Sequence, residues 1–410
     1  MAGRRHASVR AVACALAGAL LLGACTGADG EDAPDDEAAV QTLFDRQAAA
    51  VRDGDAPRYL ATVDTRSRSY RARQRLVADN LARLPVADWT YDVRSVESRG
   101  DRAAAVVALR YRLGDGNRPP VVAEEYYDLR RHDGKWYIAG EDLGGTRLLW
   151  EQGRLRVVRG AHSLVLGTVA RTELLRIAAQ AERAVPSVSA AWPEPWHRRT
   201  VVLVPASVRD MAQLLHGEPG TYEGIAAVTT GPPEGEEGEW EHIIVNRQAY
   251  ALLSDRGRRV VLTHETAHVA TAADTGDATP LWLSEGLADW FGYRGTGTDP
   301  VSAAPTLAES VHRGGLPHRL PPDSQFRFTG DPDALARAYE GGWLACRMIA
   351  DRWGQDRLIA FYRAVGRAGG AAGGDGTTEA VDRALRDVLA TDRAAFTRMW
   401  RSSLRTQLTR

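Results

Sequence analysis

The sequence predicts an α+β protein made of two consecutive units. Three observations carry this prediction. Helical patterns followed by four β-rich runs occupy residues 38–140, a second set of β-branched runs lies between residues 155 and 246, and the remainder from residue 260 is almost wholly helical. A chain of 410 residues has room for two cores, since domains typically take about 100–200 residues each. The formal charge is −1, and Lys135 is the only lysine among 52 cationic residues. No arginine run is interleaved with aromatics, so no nucleic-acid partner is expected.

Residues 1–25 read as a targeting segment and are set aside from the fold. Arg4 and Arg5 supply its positive start, and the apolar run 11–22 is too short to span a bilayer. It closes on Leu22-Gly23-Ala24-Cys25, which resembles the bacterial lipobox. That resemblance implies a diacylglyceryl group on Cys25 and a protein held on the extracytoplasmic face of the cell membrane. Two acyl chains suffice for stable anchoring. An ordinary secretory signal with a chance cysteine is the alternative. Cys14 leaves with the signal, so Cys346 remains alone and reads as a small buried hydrophobe. Residues 26–36, rich in Gly, Asp and Glu without apolar periodicity, read as a flexible tether.

The first unit spans 37–147. Helical patterns cover 38–52, 56–63 and 70–84, and strands follow at 89–96, 103–113, 121–131 and 136–140. His132-Asp133-Gly134-Lys135 is a hairpin turn carrying an Asp-Gly signal, in which His132 is expected to be solvated. Helices followed by an antiparallel meander ending in Asp133-Gly134-Lys135-Trp136-Tyr137-Ile138 resemble the NTF2-like α+β cone. That fold often holds small ligands. No converging charged residues are legible here, so a spacer, cap or binding module is expected rather than an enzyme.

The second unit spans 151–410. Runs at 155–159 and 163–167 read as a hairpin, 169–185 as a helix, and 200–205 as a buried strand. Further strands are expected at 224–229 and 242–246, on either side of the acidic loop 232–241. The next stretch organises the chain: Val260-Val261-Leu262-Thr263-His264-Glu265-Thr266-Ala267-His268-Val269-Ala270 has apolar residues at helical spacing. On a helix, His264 and His268 project from one face one turn apart, as two nitrogens must to grip one zinc ion. Glu265 is placed to act as a base on water. The motif H-E-x-x-H arises by chance in roughly one or two per cent of such chains, so the downstream sequence decides its weight.

Downstream, Leu283-Ser284-Glu285-Gly286-Leu287-Ala288-Asp289-Trp290 reads as a second buried helix with Ser284 as N-cap. Sixteen residues separate His268 from Glu285, enough for a loop and a helical return. Glu285 then serves as third ligand, leaving the fourth position to water, and Asp289 orients a ligand histidine. Together, His264-Glu265-x-x-His268 and Trp282-Leu283-Ser284-Glu285-Gly286-Leu287-Ala288-Asp289 resemble the gluzincins, the clan of thermolysin and the aminopeptidase N family. Within it they are most similar to the bacterial peptidase MA-like group. The resemblance implies Zn2+ bound by His264, His268 and Glu285, Glu265 as general base, and a peptide or protein substrate. It also implies a small mixed sheet before the zinc helix and a helical C-terminal subdomain. The sheet's edge strand, at 224–228 here, would pair with substrate, although an ordinary structural strand fits those residues as well.

Aminopeptidases of this clan carry a G-x-M-E-N motif whose glutamate holds the substrate's amino terminus. Gly224-Ile225-Ala226-Ala227-Val228 lacks that glutamate, so endopeptidase action is expected instead. Tyr339, in the helical stretch 334–353, corresponds to the family's oxyanion-stabilising residue. A core tyrosine with a satisfied hydroxyl fits equally well. His312 and His318 read as surface loop residues. The competing functional reading is a lipid-anchored binding or scaffold protein with a structural zinc site and a ligand-binding first unit.

Overall fold

The computed structural model describes residues 33–114, 120–141, 147–231, 242–326, 331–368 and 375–409. The signal segment with Cys25, most of the tether, the acidic loop 232–241 and most of the glycine-rich connector 369–376 lie outside them. The chain is α+β, as its patterning predicts.

Three helices open the first unit: α1 (Ala33–Arg52), α2 (Ala56–Leu60) and α3 (Arg68–Leu81). They cover one face of an antiparallel meander, β1 (Val86–Arg99), β2 (Arg102–Leu113), β3 (Val121–His132) and β4 (Lys135–Glu141). Helix α1 begins inside the stretch read as tether. Asp36 is buried there, accepting hydrogen bonds from Arg131 (3.0 Å) and Trp136 Nε1 (3.1 Å). Those partners lie about a hundred residues away, beyond the reach of local composition. His132 is likewise not free in solvent. Its ring stacks on Tyr137 (4.3 Å between centroids), and Nε2 lies 3.2 Å from the buried Asp64 carboxylate.

The second unit opens with β5 (Arg156–Arg159) and β6 (Ser163–Gly167), followed by α4 (Arg171–Ser189) and β7 (Thr200–Val204). Next come α5 (Val208–Leu214), β8 (Ala227–Thr229) and β9 (His242–Val245). These strands form a mixed sheet in the order β5-β6-β7-β9-β8. β6, β7 and β9 are parallel; β5 and β8 are antiparallel at the two edges. Its central strands are buried on both faces, which is why they read as continuous apolar runs. Alternate residues point opposite ways. Val165, Val202 and Ile243 pack toward α4, whereas Leu164, Leu166, Val201, Leu203 and Ile244 join the core of the first unit.

The helical part comprises α6 (Arg247–Leu252), α7 (Asp255–Thr271), α8 (Leu281–Tyr293), α9 (Pro300–Ala303), α10 (Pro305–His312), α11 (Pro332–Trp353), α12 (Gln355–Gly366), α13 (Asp375–Leu389) and α14 (Arg393–Leu408). Helix α8 starts three residues before Ser284, which lies buried within it. Its cap comes from a distance: the Asp323 carboxylate accepts from the backbone N–H of Leu281 (2.9 Å). Helix α11 crosses α8 at two glycines. A methyl group on Gly286 would collide with the carbonyl of Gly342, and one on Gly342 would lie 2.6 Å from the carbonyl oxygen of Trp282. Cys346, fully buried on α11, packs at the same crossing.

Two expectations follow. A fragment of residues 151–410 uncovers the sheet face carrying Leu164, Leu166, Val201, Leu203 and Ile244, so it should aggregate on expression; a monodisperse fragment by light scattering would contradict the shared core. Gly286→Ala should cost about 1–3 kcal/mol in denaturant unfolding, because overpacking forces the helices apart. An unchanged midpoint would mean that α8 can move without cost.

Candidate metal centre

Helix α7 is capped by Ser254, whose hydroxyl accepts from the N–H of Gly257 (3.1 Å). One turn separates His264 from His268 on its buried face, and one turn separates Glu285 from Asp289 on α8. The two helices bring these residues together. His264, His268 and Glu285 are each 1% exposed, and Glu265 is fully buried.

The ligand atoms form a tight triangle. His264 Nε2 lies 3.1 Å from His268 Nε2 and 3.2 Å from Glu285 Oε2, which is 3.4 Å from His268 Nε2. Donors around a four-coordinate ion with bonds of ~2.0–2.1 Å stand about 3.4 Å apart. Two imidazole nitrogens and a carboxylate crowd one point in an apolar interior, and neither Glu285 oxygen has a satisfied hydrogen bond. Only a proton or a metal cation relieves such crowding. The group fits a metal ion, and among the described residues it is the only such cluster.

The surrounding residues fit as well. His264 Nδ1 lies 2.7 Å from Asp289 Oδ1, so an Nδ1–H donated to that carboxylate leaves Nε2 facing the triangle. Burial opposes a charge on His264, but the Asp289 carboxylate and then Glu285 override it and push its pKa up to about 10. Burial also disfavours an ionised Glu285, yet His268 and His264 pull its pKa down to about 2. Glu265 follows a different course. Burial raises its pKa to about 7, against the lowering effects of His264 and of a hydrogen bond from Thr229 Oγ1 (2.6 Å). The other oxygen of Glu265 has no partner.

No sequence motif marks Thr229. It belongs to β8, at the sheet edge, one residue beyond the run proposed for that edge. Its hydroxyl also approaches the backbone carbonyl of Glu265 (3.2 Å), tying the strand to the metal helix. Tyr339 is buried on α11 against Phe326 and lines a cavity of ≈ 320 Å³ together with His264, Asp289 and Trp343. That cavity lies on the Asp289 flank of His264; Glu265, His268 and Glu285 do not line it. The neighbouring Glu340 is occupied structurally, accepting from the N–H groups of Thr306 (3.3 Å) and Leu307 (2.5 Å). His312 and His318 are exposed, but only His318 lies in a loop; His312 ends α10, with its Nδ1 2.8 Å from the carbonyl of Ala308 one turn back.

No protein-family model and no curated protein matches the chain. Among solved structures it is similar to a single-residue variant of Rv3472, a function-unknown protein from Mycobacterium tuberculosis. That likeness has 21% identity and a TM-score of 0.23, over 29% of this chain and 80% of that one.

Metal analysis of the purified chain should find about one ion per molecule, lost in His264→Ala. Asp289→Asn should weaken affinity by about 10–100-fold while leaving the stoichiometry intact. Below pH 10 the metal-free His264 holds a proton that uptake must displace. Apparent affinity in chelator competition should therefore climb about tenfold per pH unit from neutral pH upward. A flat profile would show that no proton occupies the empty triangle.

Proposed function

We propose that the protein is a zinc-dependent peptidase of gluzincin type, hydrolysing peptide bonds within extended segments of a peptide or protein substrate. The observation that carries this reading is the triangle of His264, His268 and Glu285 with a buried, half-partnered Glu265 beside it. Two imidazoles and one carboxylate form a donor set suited to zinc and leave the fourth coordination position open. When bound, zinc would supply Lewis-acid polarisation of water and of the scissile carbonyl.

The chain's own residues supply the rest. Glu265 is the base: Thr229 fixes one of its oxygens, and the other is free to take a proton from the attacking water. A buried carboxylate with one unpartnered oxygen can accept that proton and return it to the leaving amine. Asp289 holds His264 in the required tautomer. An extended peptide adding to the β8 edge would run beside Thr229, and thus beside the base. The resemblance would make Tyr339 the hydroxyl donor to the developing oxyanion; of the ligand set, the cavity it lines reaches only His264. The anchor at Cys25 would hold this activity on the extracytoplasmic face of the membrane; among the described residues no helix is long and apolar enough to cross a bilayer.

A lipid-anchored scaffold with a purely structural zinc is less well supported. Structural sites close the metal with four protein ligands, whereas three converge here among the described residues. They also have no use for a buried glutamate with a free oxygen.

Glu265→Gln should cut hydrolysis of a casein-type substrate by about 10²–10⁴-fold with metal content unchanged. Substantial remaining turnover would remove Glu265 as base. Tyr339→Phe should lower kcat by about 10²-fold with KM little changed; a silent substitution would return Tyr339 to the core.

A further inference from the structure

A second group of buried acids lies on the inner face of the first sheet, well away from the metal centre. Along β3 the inward positions run Val121, Ala123, Glu125, Tyr127, Leu129, which places a glutamate where the pattern calls for an apolar residue. Glu141 on β4 pairs with Tyr127 and so shares that face. Glu151 arrives from the short 3-10 turn after β4, whose Trp150 packs on Trp89 and Tyr111 at 5.3 and 5.1 Å. No convergent charge is legible in the sequence of this unit, because the three glutamates meet only through strand register and that turn.

Their partners are unequal. Glu141 accepts from the Tyr70 hydroxyl (2.6 Å) and from Gln74 Nε2 (2.9 Å). Among the described residues, Glu151 accepts from the N–H of Leu148 (2.9 Å). Glu125 is 6% exposed, and its Oε1 has no partner. Burial, then mutual repulsion with Glu151 and Glu141, raises the pKa of Glu125; burial and Glu141 push Glu151 up to about 8. Burial also raises the pKa of Glu141, against the Tyr70 hydrogen bond and the exposed Arg73. The exposed Arg147 favours the charge of both Glu141 and Glu151, and neither arginine offsets Glu125. A buried acid without a donor destabilises the fold unless something neutralises it.

The wall around the acids is aromatic. Phe44 touches Tyr91 and Tyr127 at 5.3 and 4.9 Å between centroids, and Trp89 touches Tyr91 and Tyr111 at 6.3 and 5.5 Å. We propose that this face binds a small organic ammonium ion, held by Glu125, Glu141 and Glu151 and by the rings of Tyr91, Tyr111 and Tyr127. Ring faces and carboxylates both attract such a cation. A bare metal ion fits less well, since these carboxylate oxygens do not converge as the atoms of the histidine site do. A neutral ligand would leave Glu125 as it is. Glu141 and Glu151 are part-exposed, whereas Glu125 is buried.

The test uses the full chain and two matched pairs of probes: putrescine against butane-1,4-diol, and choline against 3,3-dimethylbutan-1-ol. At least one cation should raise Tm saturably at millimolar concentration while its neutral partner does not. Calorimetry in buffers of different ionisation heat should register proton release near neutral pH, because the raised carboxyls must ionise to bind. Glu125→Gln should weaken binding by about tenfold, and Glu124→Gln, on the outward side of the same strand, should not. Glu125→Gln keeps the side-chain volume and removes an unpaired acid, so it should fold at least as well; Glu151→Gln gives a second reading of the same loss. His264→Ala should bind the cation normally, which separates this site from the peptidase reading. Cations no better than their neutral partners, or a Glu125→Gln chain that binds like the unsubstituted protein, would overturn the proposal.

Discussion

How closely α8 can lie against its neighbours decides whether the metal centre exists. On one side Gly286 meets Gly342 of α11; on the other, a methyl group at Gly292 would stand 3.0 Å from the carbonyl oxygen of Val260 on α7. Pinned between them, α8 presents Glu285 and Asp289 to His264 and His268 in register. Ligand atoms must meet within a few tenths of an ångström, and close-packed interiors transmit a helix displacement rather than absorb it. The glycines therefore hold the cluster of potential ligands together without touching it.

The same packing places ionisable groups in apolar surroundings, at a cost that has to be offset locally. At the metal centre the offset is reciprocal: bases face acids, and each favours the charged form of the other. Glu265 stands slightly apart, anchored through one oxygen to Thr229, and its proton affinity falls between the extremes of its neighbours. On the inner face of the first sheet, burial and the mutual repulsion of the acids raise the pKa of Glu125 and of Glu151. One cluster is small and could hold a metal ion. The other is wide and walled by rings.

The mixed sheet partitions the molecule between these two regions. Its central strands read as apolar runs because one set of side chains supports α4 and α7 while the alternate set fills the core of the first unit. Asn80 of α3 strengthens the join, donating to the carbonyls of Trp150 and Gly153 (both 2.7 Å) and accepting from the N–H of Leu155 (2.9 Å). A buried amide that satisfies three backbone groups of the connecting segment holds the first unit to the sheet.

Periodicity alone was enough to determine the α+β class, the meander, the doubly buried strands, and the helices carrying His264, His268, Glu285 and Asp289, because these depend on neighbours within one or two turns. Position in the sequence also marked Cys346 as core. Other features depended on distant partners: the cap of α8 on Asp323, the anchoring of Asp36 by Arg131 and Trp136, and the pairing of His132 with Asp64. Thr229 reached Glu265 only through the placement of the edge strand. Glu125 left a local trace, an acid at an inward strand position, but its meaning needed Glu141 and Glu151 beside it. Local spacing fixes which face of an element a side chain occupies; only tertiary packing fixes what that face meets, and charge and hydrogen bonding act at that meeting.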